Sequence, residues 1–131
     1  MITGLALASL ASLQSARAIA ADLYVICNTD VAIQATEIKD VFRGEKTYSG
    51  KVKLAPADNS AAQADFLQKI MALDAAKYTG IWIKKSFRDG ASPPPLKASN
   101  AEALAYVRNT SGACSYVSTA SPEGVSIVGK F

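Results

Sequence analysis

The sequence contains no histidine, and this single absence removes more chemistry than any other feature of its composition. Histidine is the commonest general base, the usual partner of a nucleophilic serine or cysteine, and the commonest protein ligand for metals. Hydrolase triads of the usual kind are therefore excluded. The acidic residues are scattered singly, no acidic calcium-type loop is present, and two cysteines alone give no metal-ligand spacing. No glycine-rich phosphate loop precedes a helix. The expectation is a protein that is not an enzyme and carries no metal or cofactor.

Charge is equally sparse. A formal charge of +3 on 131 residues, without a sustained basic stripe, does not suit nucleic acid. Arg43, Lys46, Lys51 and Lys53 cluster loosely around a turn, where a solvated face is the ordinary reading and attraction of an anion the other. Asn109-Thr110-Ser111 matches a glycosylation triplet, a pattern short enough to arise by chance.

Long apolar runs are missing too. Residues 1–20 are built of Leu, Ala, Ser and Ile, with Arg17 their one charged side chain. The run from Ile2 to Leu13 falls short of the roughly 20 residues a membrane span requires, and Ala18-Ile19-Ala20 has the small-x-small form that signal peptidase accepts. The expectation is a signal peptide over 1–20, cleaved near Ala20, and one domain over 21–131 that is periplasmic or secreted. A buried N-terminal helix is the alternative. Removing residues 1–20 deletes one Arg and no acid, which takes the charge from +3 to +2.

In an oxidising compartment Cys27 and Cys114 can pair, and closing so long a loop would stabilise the fold by about 4 kcal/mol in the chain-entropy account. Two buried free thiols acting as small apolar side chains are the competing reading.

What is present is a regular alternation of elements. Leu23 to Cys27 is a continuous β-rich apolar run closed by Asn28-Thr29-Asp30. Thr36 can cap a helix that places Ile38, Val41 and Phe42 on one face before Gly44 stops it. Val52 to Ala55 reads as a second strand ending at Pro56. A second helix from Ser60 carries Phe66, Leu67, Ile70 and Met71, and Asp74 caps a third containing Tyr78, Ile81 and Trp82. Gly80 costs that third helix about 1 kcal/mol relative to Ala. Pro93-Pro94-Pro95 forbids helix and stiffens a loop. Ser99 and Glu102 form a capping box for a helix reaching Asn109. Strands follow at Ala113–Val117 and Val125–Val128. This order predicts an α/β fold, a three-layer sandwich on a mostly parallel sheet.

The junction Pro56-Ala57-Asp58-Asn59-Ser60-Ala61-Ala62-Gln63 is the candidate site. Open α/β sheets bind anions where strand ends meet helix N-termini, whose free N–H groups and dipole favour negative charge. Ser60 and the Ala61 backbone would be the contacts, helped by Asn59, Thr29 and Ser99. The competing reading is structural, since Ser60 and Gln63 have capping-box spacing whether or not a ligand binds.

Glu37-Ile38-Lys39-Asp40-Val41-Phe42-Arg43-Gly44-Glu45-Lys46 and the strand Lys51 to Asp58 resemble segments of phosphate ABC-transporter substrate-binding proteins. Trp82, Phe87, Gly90 and Pro93-Pro94 look like the signature of a short, stand-alone version of that family, and Asn100 to Val117 is similar to its closing motif. The resemblance implies one lobe of a type 2 periplasmic binding fold, with phosphate or another small anion as ligand. It aligns Ser60 with the serine of the family's Ser-Gly-Thr phosphate segment, while Ala61 and Ala62 replace the glycine and threonine. The arginine that precedes the segment in phosphate binders has no counterpart among Leu54 to Ala57, and Cys114 replaces an apolar residue, in keeping with a lineage-specific disulfide. The alternative function is a protein-interaction module derived from such a lobe, without a ligand of its own, that binds a partner protein or a second copy through an exposed apolar patch.

Overall fold

The computed structural model describes residues 22–131; the proposed signal segment over 1–20 lies outside them. The chain forms β1 (Tyr24–Cys27), a 3-10 turn (Ala35–Glu37) leading into α1 (Ile38–Phe42), the hairpin β2 (Tyr48–Ser49) and β3 (Val52–Lys53), then β4 (Ala55–Pro56) and β5 (Asp58–Asn59). Next come α2 (Gln63–Phe66), which continues as a π turn (Leu67–Met71), α3 (Ala75–Asp89), β6 (Leu96–Lys97), α4 (Asn100–Asn109), β7 (Ala113–Val117) and β8 (Ser126–Lys130).

The main sheet has the order β4-β7-β1-β8. Its α/β character matches the sequence pattern, but the sheet is mixed rather than mostly parallel. β4 runs parallel to β7, whereas β1 pairs antiparallel with both β7 and β8. A separate parallel pair joins β5 to β6. Pro56 is tolerated within β4 because that strand lies at the sheet edge, where a missing N–H breaks no ladder. The predicted single strand over 52–55 is split. Its first half pairs back on β2 around Gly50, the Leu54 N–H turns to the Thr47 carbonyl, and its second half joins β7.

The continuous apolar runs of β1 and β7 are explained by burial on both faces. Leu23, Val25, Cys27, Cys114 and Tyr116 face a core with Ile38, Val41, Phe42, Phe66, Leu67 and Trp82 from the first three helices. Tyr24, Ile26, Ala113 and Val117 face Ala103 and Val107 of α4. Helices therefore cover both sides, which makes the three layers. Phe66 stacks on Tyr116 at 3.9 Å between ring centres and meets Phe42 edge-on at 4.7 Å.

Capping follows local chemistry. Asp74 accepts from the Lys77 N–H at 2.8 Å and starts α3, and Ser99 accepts from the Glu102 N–H at 3.1 Å and starts α4. Thr36, read from sequence as the first cap, lies inside the 3-10 turn. Gln34 takes the cap position because Glu37 reaches back to its N–H at 2.9 Å. Gly80 is accommodated within α3, which continues to Gly90. Cys27 and Cys114 are directly paired in register and joined by a disulfide that closes an 87-residue separation. No helix among the described residues is long and apolar enough to cross a membrane.

Candidate functional site

The strand-to-helix junction forms as a tightly bonded turn. Asn59 is fully buried, and its Oδ1 accepts the Ala61 N–H at 3.0 Å. Its Nδ2 donates to Asn100 Oδ1 at 2.8 Å and to the Tyr116 carbonyl at 2.9 Å. The Ser60 N–H is bound by the Lys97 carbonyl, the Ser60 hydroxyl donates to the Ala98 carbonyl at 3.0 Å, and the Ala62 N–H is bound by the Asn59 carbonyl. Ser60 is solvent-exposed, but it does not begin the helix as its spacing to Gln63 suggested: α2 starts at Gln63, and the N–H groups of Ser60, Ala61 and Ala62 lie in the turn before it and are bonded to protein oxygens.

Asn100, which the sequence grouping did not include, joins this turn through Asn59, while the Ser99 hydroxyl caps α4 and makes no bond to Asn59, Ser60 or Ala61. Thr29 does not join the turn either. It follows β1, and because β1 is antiparallel to β7 the residue after Cys27 lies beside the start of β7, whereas Asn59 bonds near that strand's end. The sequence grouping of Thr29 with Ser60 assumed strands pointing the same way. At Thr29's end of the sheet Asp30 accepts from the Ser111 hydroxyl and from the Gly112 N–H, and these bonds, the hydroxyl first, lower its pKa below the usual carboxylate value.

The second feature was missed by sequence reasoning. A cleft of about 370 Å³ opens between α3 and the proline loop, walled by Tyr78, Trp82, Ile83 and Phe87 on one side and by Pro93, Pro94 and Leu96 on the other. Trp82 is fixed by its indole N–H donating to the Phe42 carbonyl at 3.1 Å, and the Ser86 hydroxyl ties α3 to the loop through the Ala91 carbonyl at 2.7 Å. Apolar walls here are open to water: Phe87 is 90% exposed, Leu96 58% and Ile83 52%.

Asp58 also lines this cleft although only 4% exposed. Tyr78 and Tyr116 each donate a phenolic hydrogen to its carboxylate, at 2.9 Å to separate oxygens. Burial raises the Asp58 pKa, partly offset by the two phenolic bonds. Both tyrosines are pushed well above their ordinary value, by burial first and then by the Asp58 charge. Among the described residues no lysine or arginine lines the cleft. The signal available in the sequence was the spacing of Thr79, Ile83 and Phe87 on α3, which continues an apolar face beyond the residues the core uses.

No group of three metal-ligating side chains occurs among the described residues. The chain matches no protein-family model, and no curated protein matches it. Among solved structures it is similar to the crystal structure of an ABC-type phosphate transport receptor from Vibrio cholerae, at 12% sequence identity and a TM-score of 0.49. The match covers 82% of this chain and 46% of that one, so the chain spans about half the length of the receptor.

Proposed function

We propose that residues 21–131 form an exported, non-catalytic binding domain whose α3–proline cleft receives an apolar segment of a partner protein flanked by acidic residues. The observation that carries this reading is Phe87, almost fully in water beside Ile83 and Leu96 on the wall of a formed apolar cleft. Leaving such surface exposed is unfavourable unless something covers it.

Charge selects the occupant. Lys77, Lys84 and Arg88 recur at seven and four residues along α3 and share one flank beside Ile83 and Phe87. Lys77 and Lys84 form no ion pair among the described residues. Arg88 is paired with Asp89 at 3.1 Å, so Lys77 and Lys84 carry the charge argument: a second copy packed on the same face would set these lysines against each other, whereas acids flanking an apolar segment complement them. The Cys27–Cys114 disulfide supports a place outside the cytoplasm.

Capture of phosphate or another small anion at Ser60, Asn59, Ala61 and Ser99 is the weaker reading, since it requires donors now bonded within the turn to be released. Calorimetric titration separates the two. A peptide with an aromatic residue between glutamates should give saturable heat, its lysine-flanked counterpart none, and inorganic phosphate none. Heat from phosphate alone would return the function to the Ser60 turn.

A further inference from the structure

Resting on the cleft reading above, we infer that Asp58 is the polar anchor of the cleft and that its occupant is an aromatic ring carrying an O–H or N–H donor, as in a tyrosine or tryptophan side chain. A purely apolar occupant would need no carboxylate beneath it. A buried acid is costly in an apolar wall, and here no cation of the cleft lining compensates it.

The geometry leaves Asp58 able to accept more. A carboxylate has about four lone-pair positions. Tyr116 occupies one on Oδ1 and Tyr78 one on Oδ2, so each oxygen retains acceptor capacity. The backbone N–H of Asp58 is bound by the Pro95 carbonyl at 2.8 Å, which fixes the residue against the same loop that forms the far wall. Tyr78 and Trp82 are buried and anchored, so the aromatic wall beside the acid is rigid. A ring sliding between Phe87 and Leu96 would meet aromatic and proline faces along its length and a hydrogen-bond acceptor at its tip. Gln63, Thr79 and Ser86 line the cleft as well, and they can accept from or donate to a ligand. The test must therefore distinguish donors from acceptors.

The experiment is an NMR titration of the disulfide-bonded protein with three probes of nearly equal shape, 4-ethylphenol, 4-ethylanisole and ethylbenzene, following the amides of Thr79, Ile83 and Phe87. A donor bound to an ionised acceptor should favour 4-ethylphenol over both others by about tenfold. Asp58→Asn should lose that preference while retaining ethylbenzene; if this variant does not fold, the probe series decides alone. Equal affinities, or 4-ethylanisole matching 4-ethylphenol, would overturn the anchor and leave the cleft reading standing. Failure of all three to shift these amides would overturn the anchor together with the cleft reading.

Discussion

The side-chain amide of Asn59 donates to the Asn100 Oδ1 at 2.8 Å, joining the end of β5 to the first residue of α4. Asn100 in turn accepts the Ser118 N–H at 3.1 Å, so two chain segments that leave the sheet are tied through one pair of amides. Together with the Asn59 Oδ1 bond to the Ala61 N–H, this link ties the turn before α2 to α4. It also sets the first prediction. Asn59→Ala removes two donated bonds and one accepted bond in a buried site and should lower stability by about 2–3 kcal/mol, measured by urea unfolding. Asn59→Asp keeps the acceptor for Ala61 but loses both donors, and should be destabilising as well.

Gly112 adopts φ 75° immediately before β7, where an added Cβ would collide with the Lys53 carbonyl oxygen. Both the backbone conformation and the close approach of β3 require glycine. Gly112→Ala should cost more than about 2 kcal/mol, against under about 0.5 kcal/mol for an exposed substitution such as Lys84→Ala. Thermal unfolding of the two variants side by side checks this.

Cys27 and Cys114 close most of the chain into one loop. Replacing both by alanine should destabilise the domain by about 4 kcal/mol, and reductant should lower the melting temperature of the native protein without affecting the double variant. A native protein indifferent to reductant would contradict a stabilising bridge.

Asp58 gives a pH dependence of definite sign. Its pKa is raised by burial in the folded protein, with Tyr78 and Tyr116 facing it and no base among the cleft residues. The folded state holds this proton more tightly than the unfolded chain. The corresponding stability is present below the unfolded carboxylate value, near pH 4, and is lost as pH rises through the raised value. Asp58→Asn should therefore gain stability relative to the native protein as pH increases through that window, and below it the difference should become independent of pH. Exposed Asp30, Glu37 and Asp89 have lowered values and contribute the opposite slope at acid pH, equally in both proteins.

Local signals were legible in the sequence where the chemistry was local. Asp74 and Ser99 cap the helices their spacing predicts, and the apolar run from Leu23 to Cys27 is a strand buried on both faces. Strand direction was not legible, because antiparallel and parallel partners leave the same apolar run in β1. Because of that ambiguity the sequence does not separate Thr29 from Ser60, although Thr29 lies at the other end of the sheet. The turn at Asn59 could be read as an Asx motif, but its partners are 41 and 57 residues away and no local pattern names them. The cleft depends on the proline loop folding back on α3, a tertiary contact that a list of exposed-looking residues does not reveal.

The most direct test of the account is Phe87→Ser. Phe87 supports no core contact, so the melting temperature should stay within about 2 °C of the native protein, a shift that corresponds to under about 0.5 kcal/mol. Affinity for the glutamate-flanked aromatic peptide should fall at least about tenfold, because a wall of the cleft is removed. Unchanged affinity in a normally folded Phe87→Ser protein would contradict the claim that this cleft is where the domain binds.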